Sequence, residues 1–116
     1  MKYLIAIAIV ALSNVTMAAM SCTGSSSAEN SPIETVKLKL VENESSANLT
    51  VYEGKLKDVE FIATNKTATN ENSLLINMKS LGFAISGTGP SASQPKAYID
   101  AGTAAGASFT LKCRLE

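Results

Sequence analysis

Six cations in this chain fall into three pairs, each spaced two residues apart: Lys37 and Lys39, Lys55 and Lys57, Lys112 and Arg114. Positions i and i+2 of a β-strand project from one face. Each pair would therefore offer two positive charges to the same side of a sheet. If the three strands lie near one another, the pairs form a basic wall able to dock an anionic envelope surface, a glycan or an acidic protein. Alternating lysines also keep an exposed strand soluble and discourage pairing with other edges. Glu42, Glu53, Asp58 and Glu60 lie among them and dilute the field.

The other reactive side chains exclude more than they offer. The sequence contains no histidine, which removes a Ser-His-Asp triad, a Cys-His pair and any histidine-bearing zinc site from this chain. Its two cysteines, Cys22 and Cys113, are expected to form a disulfide, leaving no thiolate as nucleophile or metal ligand. Asp58 and Glu60 have the spacing of a carboxylate pair on one strand face, the geometry of acid and base work or of a hard cation. A solvated strand face accounts for them more simply. Lys79 and Ser80 are adjacent, so on a strand they point to opposite faces and cannot act as a Ser-Lys pair. Gly87, Gly89 and Ala92 match G-x-G-x-x-A in letters, but Pro90 and Pro95 leave no helix N-terminus to hold a pyrophosphate. Triplets beginning at Asn43, Asn48 and Asn65 have the form of glycosylation sequons, which matter only in a eukaryotic secretory pathway. No catalytic residue, metal site or cofactor is expected.

Strands must position whatever remains. Residues 109–115 (FTLKCRL) alternate apolar and polar without a break, placing Phe109, Leu111, Cys113 and Leu115 on an inward face. The same alternation puts Met20 and Cys22 on one face, so both cysteines can point into the core from neighbouring strands. Residues 36–40 (VKLKL), a polar turn at 42–46 and residues 48–52 (NLTVY) read as a hairpin. Glu53-Gly54 reads as a turn or bulge before a strand at 55–64, and 65–72 (NKTATNEN) as a polar loop. Further strands are expected at 73–79 and 83–86, a turn-rich loop at 87–95, and a short strand at 96–100 (KAYID).

No segment carries ten residues of helical period. Eight short strands imply an all-β, small antiparallel meander, a closed barrel in preference to a sandwich, with first and last strands linked by the disulfide. An immunoglobulin sandwich is disfavoured, since tryptophan is absent and the cysteines are too far apart in sequence. A bridge closing about 90 residues stabilises by on the order of 4 to 5 kcal/mol in the chain-entropy model.

Compartment follows from the first residues. Lys2, the apolar run 3–12 and the small residues before Ala18 and Ala19 form an export signal over 1–19, leaving 20–116 as a single domain. The apolar run is about half the length of a membrane span. A periplasmic or secreted protein is expected. The alternative is a lipoprotein anchored through Cys22 of Ala19-Met20-Ser21-Cys22, which would leave Cys113 unpaired. Without Lys2 the chain has nine basic and ten acidic residues, so bulk charge gives no reason to expect nucleic acid as a partner.

The short signal, a cysteine in the first strand, V-K-L-K-L and the closing F-T-L-K-C-R-L together resemble the layout of small exported bacterial β proteins with a terminal-strand disulfide. In size, compartment, barrel form and C-terminal cysteine the chain is also similar to C-type lysozyme inhibitors. Their inhibitory loop contains Ser-Gly with basic and aromatic neighbours. Ala84-Ile85-Ser86-Gly87 is the nearest equivalent and lacks the Arg-Tyr and Trp that should follow, so no inhibitory residue carries over.

The expected function is a non-catalytic binding protein or inhibitor, monomeric, meeting an unknown protein or anionic envelope component through the loops 65–72 and 87–95 or the basic strand face. A structural or fimbria-like subunit assembling through sheet edges is the alternative. A carrier of a small apolar ligand inside the barrel comes third, because an eight-stranded barrel can be filled by its own side chains.

Overall fold

Alternating burial divides the chain into strands. In the computed structural model, which describes residues 20–28, 31–103 and 106–116, these are β1 (Met20–Ser27), β2 (Glu34–Lys37), β3 (Lys39–Leu40), β4 (Leu49–Leu56), β5 (Val59–Lys66), β6 (Glu71–Met78), β7 (Phe83–Thr88), β8 (Lys96–Gly102) and β9 (Ser108–Leu115). A 3-10 turn, Lys79–Leu81, joins β6 to β7 and ends on Gly82 with φ of 74°. The export signal read at 1–19 lies outside the described residues.

All pairing is antiparallel. One sheet has the order β2-β1-β9-β8 and the other β3-β4-β5-β6-β7. Going round both sheets, the strands keep the cyclic sequence of an up-and-down meander, with β1 beside β9 as the cysteine positions predict. The closed barrel expected from the sequence is nevertheless not drawn by these ladders, which form two separate sheets among the described residues.

Two local features account for the division. At Leu38 the run 36–40 changes sheets: Val36 pairs with Gly24 of β1, and Lys39 pairs with Glu53 of β4. Leu38 itself is buried, and its N–H donates to the Cys22 carbonyl at 3.0 Å. This crease is why nine strands appear where eight were expected. On the opposite side, β7 and β8 lie next to each other without a shared ladder. A Cβ on Gly87 would come within 2.6 Å of Ile99 Cγ2, so the β7 backbone rests on a β8 side chain instead of pairing with its edge.

Between the sheets lies one core, built from Phe61, Leu74, Ile76, Met78 and Leu111 with Met20, Cys22, Cys113 and Leu38 around them. Burying side chains of this size stabilises by about 1.5 to 3 kcal/mol each. Phe61 fits because β1 has Gly24 opposite it: an added Cβ would sit 2.6 Å from the ring. Cys22 and Cys113 are direct ladder partners joined by a disulfide, with their Cα atoms 4.1 Å apart.

Glu53-Gly54, expected to form a tight turn or a bulge, lies within β4. The reversal comes at Lys57 and Asp58, where Lys57 adopts φ of 56°. Gly54 has a packing role, since its missing side chain makes room for Leu38 Cδ1 at 3.0 Å from the Cβ position. Asn65 and Asn72 bound the segment read as a loop, yet they are buried ladder partners on β5 and β6. Asn65 Nδ2 donates to Asn72 Oδ1 at 2.7 Å, and Asn72 Nδ2 donates to the Pro90 carbonyl at 2.6 Å. These bonds tie the β7–β8 connection, with its cis Gly89-Pro90 bond, to the end of the second sheet.

Candidate functional site

The three predicted cation pairs do not form one wall. Lys39 and Lys55 belong to the five-stranded sheet, where their ladder partners are Glu53 and Glu60. Lys57 lies in the β4–β5 turn, with Nζ 4.0 Å from Glu34 Oε1. Asp58 shares that turn and so does not extend the strand face of Glu60. Glu60 is engaged with Lys79 Nζ at 3.3 Å and accepts from Asn77 Nδ2 at 3.4 Å. Opposite charges alternate on this sheet, and its field is weak.

Glu53 is the titratable group most affected by this setting. Burial first, then a hydrogen bond and repulsion from Glu44 and the charge of Glu60, push its carboxyl above the ordinary value, while Lys55 opposes the shift.

Lys37, Lys112 and Arg114 lie on the four-stranded sheet. The inward set there is Cys22, Leu111, Cys113 and Ala101, so the alternate residues face outward. Ladder register arranges them in rows. Lys37, Thr23, Lys112 and Tyr98 form one row across β2, β1, β9 and β8. Ser21, Arg114 and Lys96 form the next, at the end nearest the chain terminus. Lys96 and Tyr98 were read only as members of a short strand. Their relation to Lys112 and Arg114 lies in the β8–β9 register, which i, i+2 spacing along one strand cannot reveal.

This face therefore brings together four cations: Lys37, Lys96, Lys112 and Arg114. Lys96 and Arg114 are direct cross-strand partners. Among the described residues none of the four has a carboxylate within 4.0 Å, the ion pairs being Lys57–Glu34 and Lys79–Glu60. Asp100 is the carboxylate on the outward set of β8, and it accepts from Thr110 Oγ1 at 2.7 Å. An open depression of about 860 Å³ covers this part of the face, bordered by Thr23, Lys96, Tyr98, Asp100, Lys112 and Arg114.

No family model, curated protein or solved structure matches this chain. The site is thus defined by its chemistry: fixed cations at strand spacing, an exposed phenol, and hydroxyls on the neighbouring positions. Such a set has the charge and the hydrogen-bonding groups that an anion would require. Among the described residues no group of three or more carboxylates or cysteines is placed to hold a metal ion.

Proposed function

We propose that this domain is a non-catalytic binding protein of the periplasm or extracellular space, which docks an anionic partner on the outer face of the β2-β1-β9-β8 sheet. The observation that carries this reading is the placement of Lys96 directly opposite Arg114, with Lys112 diagonal to Lys96 and Lys37 in the same field. Like charges in directly opposed sheet positions are destabilising, by roughly 0.2 to 1 kcal/mol relative to neutral pairs. On the other sheet, lysines face glutamates. An anion seated among the four cations would relieve this repulsion. The filled interior around Phe61 and Leu111 supports an outer face, in preference to an internal cavity, as the binding surface.

The compartment rests on the Cys22–Cys113 bridge, a bond kept in oxidising surroundings. It occupies the sulfur that lipidation of Cys22 would consume. Among the described residues no helix is long and apolar enough to cross a membrane.

Binding to poly-L-glutamate, measured against salt concentration, tests the proposal. Substituting Lys96, Lys112 and Arg114 together by Gln should lower affinity about tenfold or more and flatten the salt dependence. The triple change at Lys39, Lys55 and Lys57 should leave both nearly unchanged. Equal losses in the two triples would sink the assignment to this face.

One observation favours assembly as a second reading: β7 is an edge strand whose residues Phe83, Ala84, Ile85, Ser86, Gly87 and Thr88 carry no charge. Sedimentation at high concentration separates the readings, a monomer supporting the first and an extended polymer the second.

A further inference from the structure

We infer that the anion recognised by this face is carried on a polysaccharide, an acidic glycan whose sugar ring stacks on Tyr98 and whose carboxylates or sulfates meet Lys96, Lys112 and Arg114. The inference rests on the anionic docking face proposed above and adds the class of its ligand.

The first argument is what the outward positions hold besides charge. Beyond the cation rows the face continues as Thr35, Ser25, Thr110 and Asp100, then Ser27, Ser108 and Gly102. Neither cation row nor either of these rows contains an aliphatic side chain. A protein partner of ordinary kind gains its affinity from aromatic and apolar anchors packed at a dry centre. This face offers no aliphatic pocket for such an anchor. It presents instead hydroxyls on adjacent strands: Thr23, Ser25 and Thr35 beside Thr110, which donates to Asp100, and Ser27 and Ser108, which bond each other. A hydroxyl can both donate and accept, as those of a sugar require. A lipid headgroup would use the cations and leave those rows idle.

Tyr98 supplies the second argument. It is 65 % exposed on an edge strand, in a register position flanked by Lys112 across the ladder and by Lys96 and Asp100 along its own strand. An aromatic ring left in water costs apolar burial and is ordinarily packed. A pyranose offers both things that a phenol can meet: a flat face of C–H groups for the ring, and hydroxyls for its O–H.

Spacing is the third. Lys112 and Arg114 are separated along β9 by about 6.8 Å, and Lys96 stands about 4.8 Å to the side of Arg114. The cations thus form a broad array next to an open depression of about 860 Å³, suited to several anionic groups along a chain more than to one enclosed ion.

Isothermal titration of the folded, disulfide-bonded protein with oligogalacturonate, poly-L-glutamate of equal charge, neutral dextran and phosphatidylglycerol vesicles tests the inference. Oligogalacturonate should bind most tightly, and Tyr98→Ala should weaken it about tenfold, a much larger factor than the loss for poly-L-glutamate. Amide chemical shifts of the unmutated protein should move at Thr23, Tyr98, Thr110 and Lys112 on adding the glycan, a readout independent of how the variant folds. If poly-L-glutamate or vesicles bind as tightly as the glycan and Tyr98→Ala changes nothing, the glycan is wrong and anionic docking stands. If no polyanion binds, both fall. Shifts confined to the five-stranded sheet would also overturn the inference.

Discussion

Gly24 and Phe61 show how little room the two sheets leave between them. A methyl group at Gly24 would stand 2.6 Å from Cγ and Cδ2 and 2.9 Å from Cδ1 of the entirely buried Phe61 ring. Gly24→Ala should cost about 1 to 3 kcal/mol in urea unfolding. Gly102→Ala, whose nearest neighbour would be the Ala107 carbonyl at 3.9 Å, should stay within about 0.5 kcal/mol. The role of Gly24 is not visible in the sequence, because its neighbour Phe61 comes from the other sheet. A second prediction concerns Glu53. Its carboxyl holds a proton to higher pH in the folded than in the unfolded chain, through burial and the nearby Glu44, with Glu60 adding to the effect and Lys55 opposing it. The folded state is therefore progressively penalised as pH rises from the ordinary value of 4.5 through the raised one. Glu53→Gln should raise the melting temperature at pH 7, and the difference should shrink as the solution is acidified into the ordinary carboxylate range. A constant difference across that range would show that ionisation is not the cause.

At the scale of elements, β9 is the strand most legible in the sequence and β8 the least. Every second residue of β9 is apolar, so its inward face follows from alternation alone, and Leu111 and Cys113 are buried as that alternation requires. β8 has Ile99 between two small alanines on its inward side, a weaker signal for burial than that of β9, and its outward Lys96 and Tyr98 matter only through the partners opposite them. Repulsion between Lys96 and Arg114 makes a prediction at this scale. Lys96→Glu converts a like-charge pair into an opposite one and should stabilise the domain by about 0.2 to 1 kcal/mol at low salt, the gain fading as salt is added. The same change should weaken binding of polyanions. A substitution that improves stability while damaging binding would separate this face from an ordinary solubilising surface. Loss of stability on that substitution would show that Lys96 has a structural partner.

For the whole molecule, the disulfide and the crease at Leu38 are the two devices that make a small chain into a layered domain. The bridge ties β1 to β9 across a separation of 91 residues and so constrains nearly all of the described fold. Replacing both cysteines by Ala should lower stability by about 2 to 4 kcal/mol, read as a shift in urea midpoint with the sheet spectrum retained at low temperature. For a domain whose entire stability is of order 5 to 15 kcal/mol, that loss is a large share. Leu38 acts differently. It lets one short run serve as an edge of both sheets, so the meander order survives while the ladders stop short of a closed ring.

Strand character, the neighbouring of the two terminal strands and the inward set of β9 were determined by sequence, because alternation and cysteine chemistry are local properties that a strand expresses wherever it is placed. Nothing in the residues around Glu53-Gly54 separates a turn from a strand glycine; the chain reverses at Lys57 and Asp58, while Gly54 leaves a gap that Leu38 fills. Nor does the polar run at 65–72 disclose that Asn65 and Asn72 are buried partners, since their amides are satisfied in part by a carbonyl of Pro90, 18 residues beyond Asn72. Only the tertiary structure decided which lysines share a face. Cross-strand register joins residues such as Lys96 and Arg114, or Lys37 and Lys112, whose separation along the chain carries no periodic signal, and it sends Lys39 and Lys55 to glutamates on the other sheet. Charge that is neutral in sum along the sequence thereby becomes concentrated on one surface.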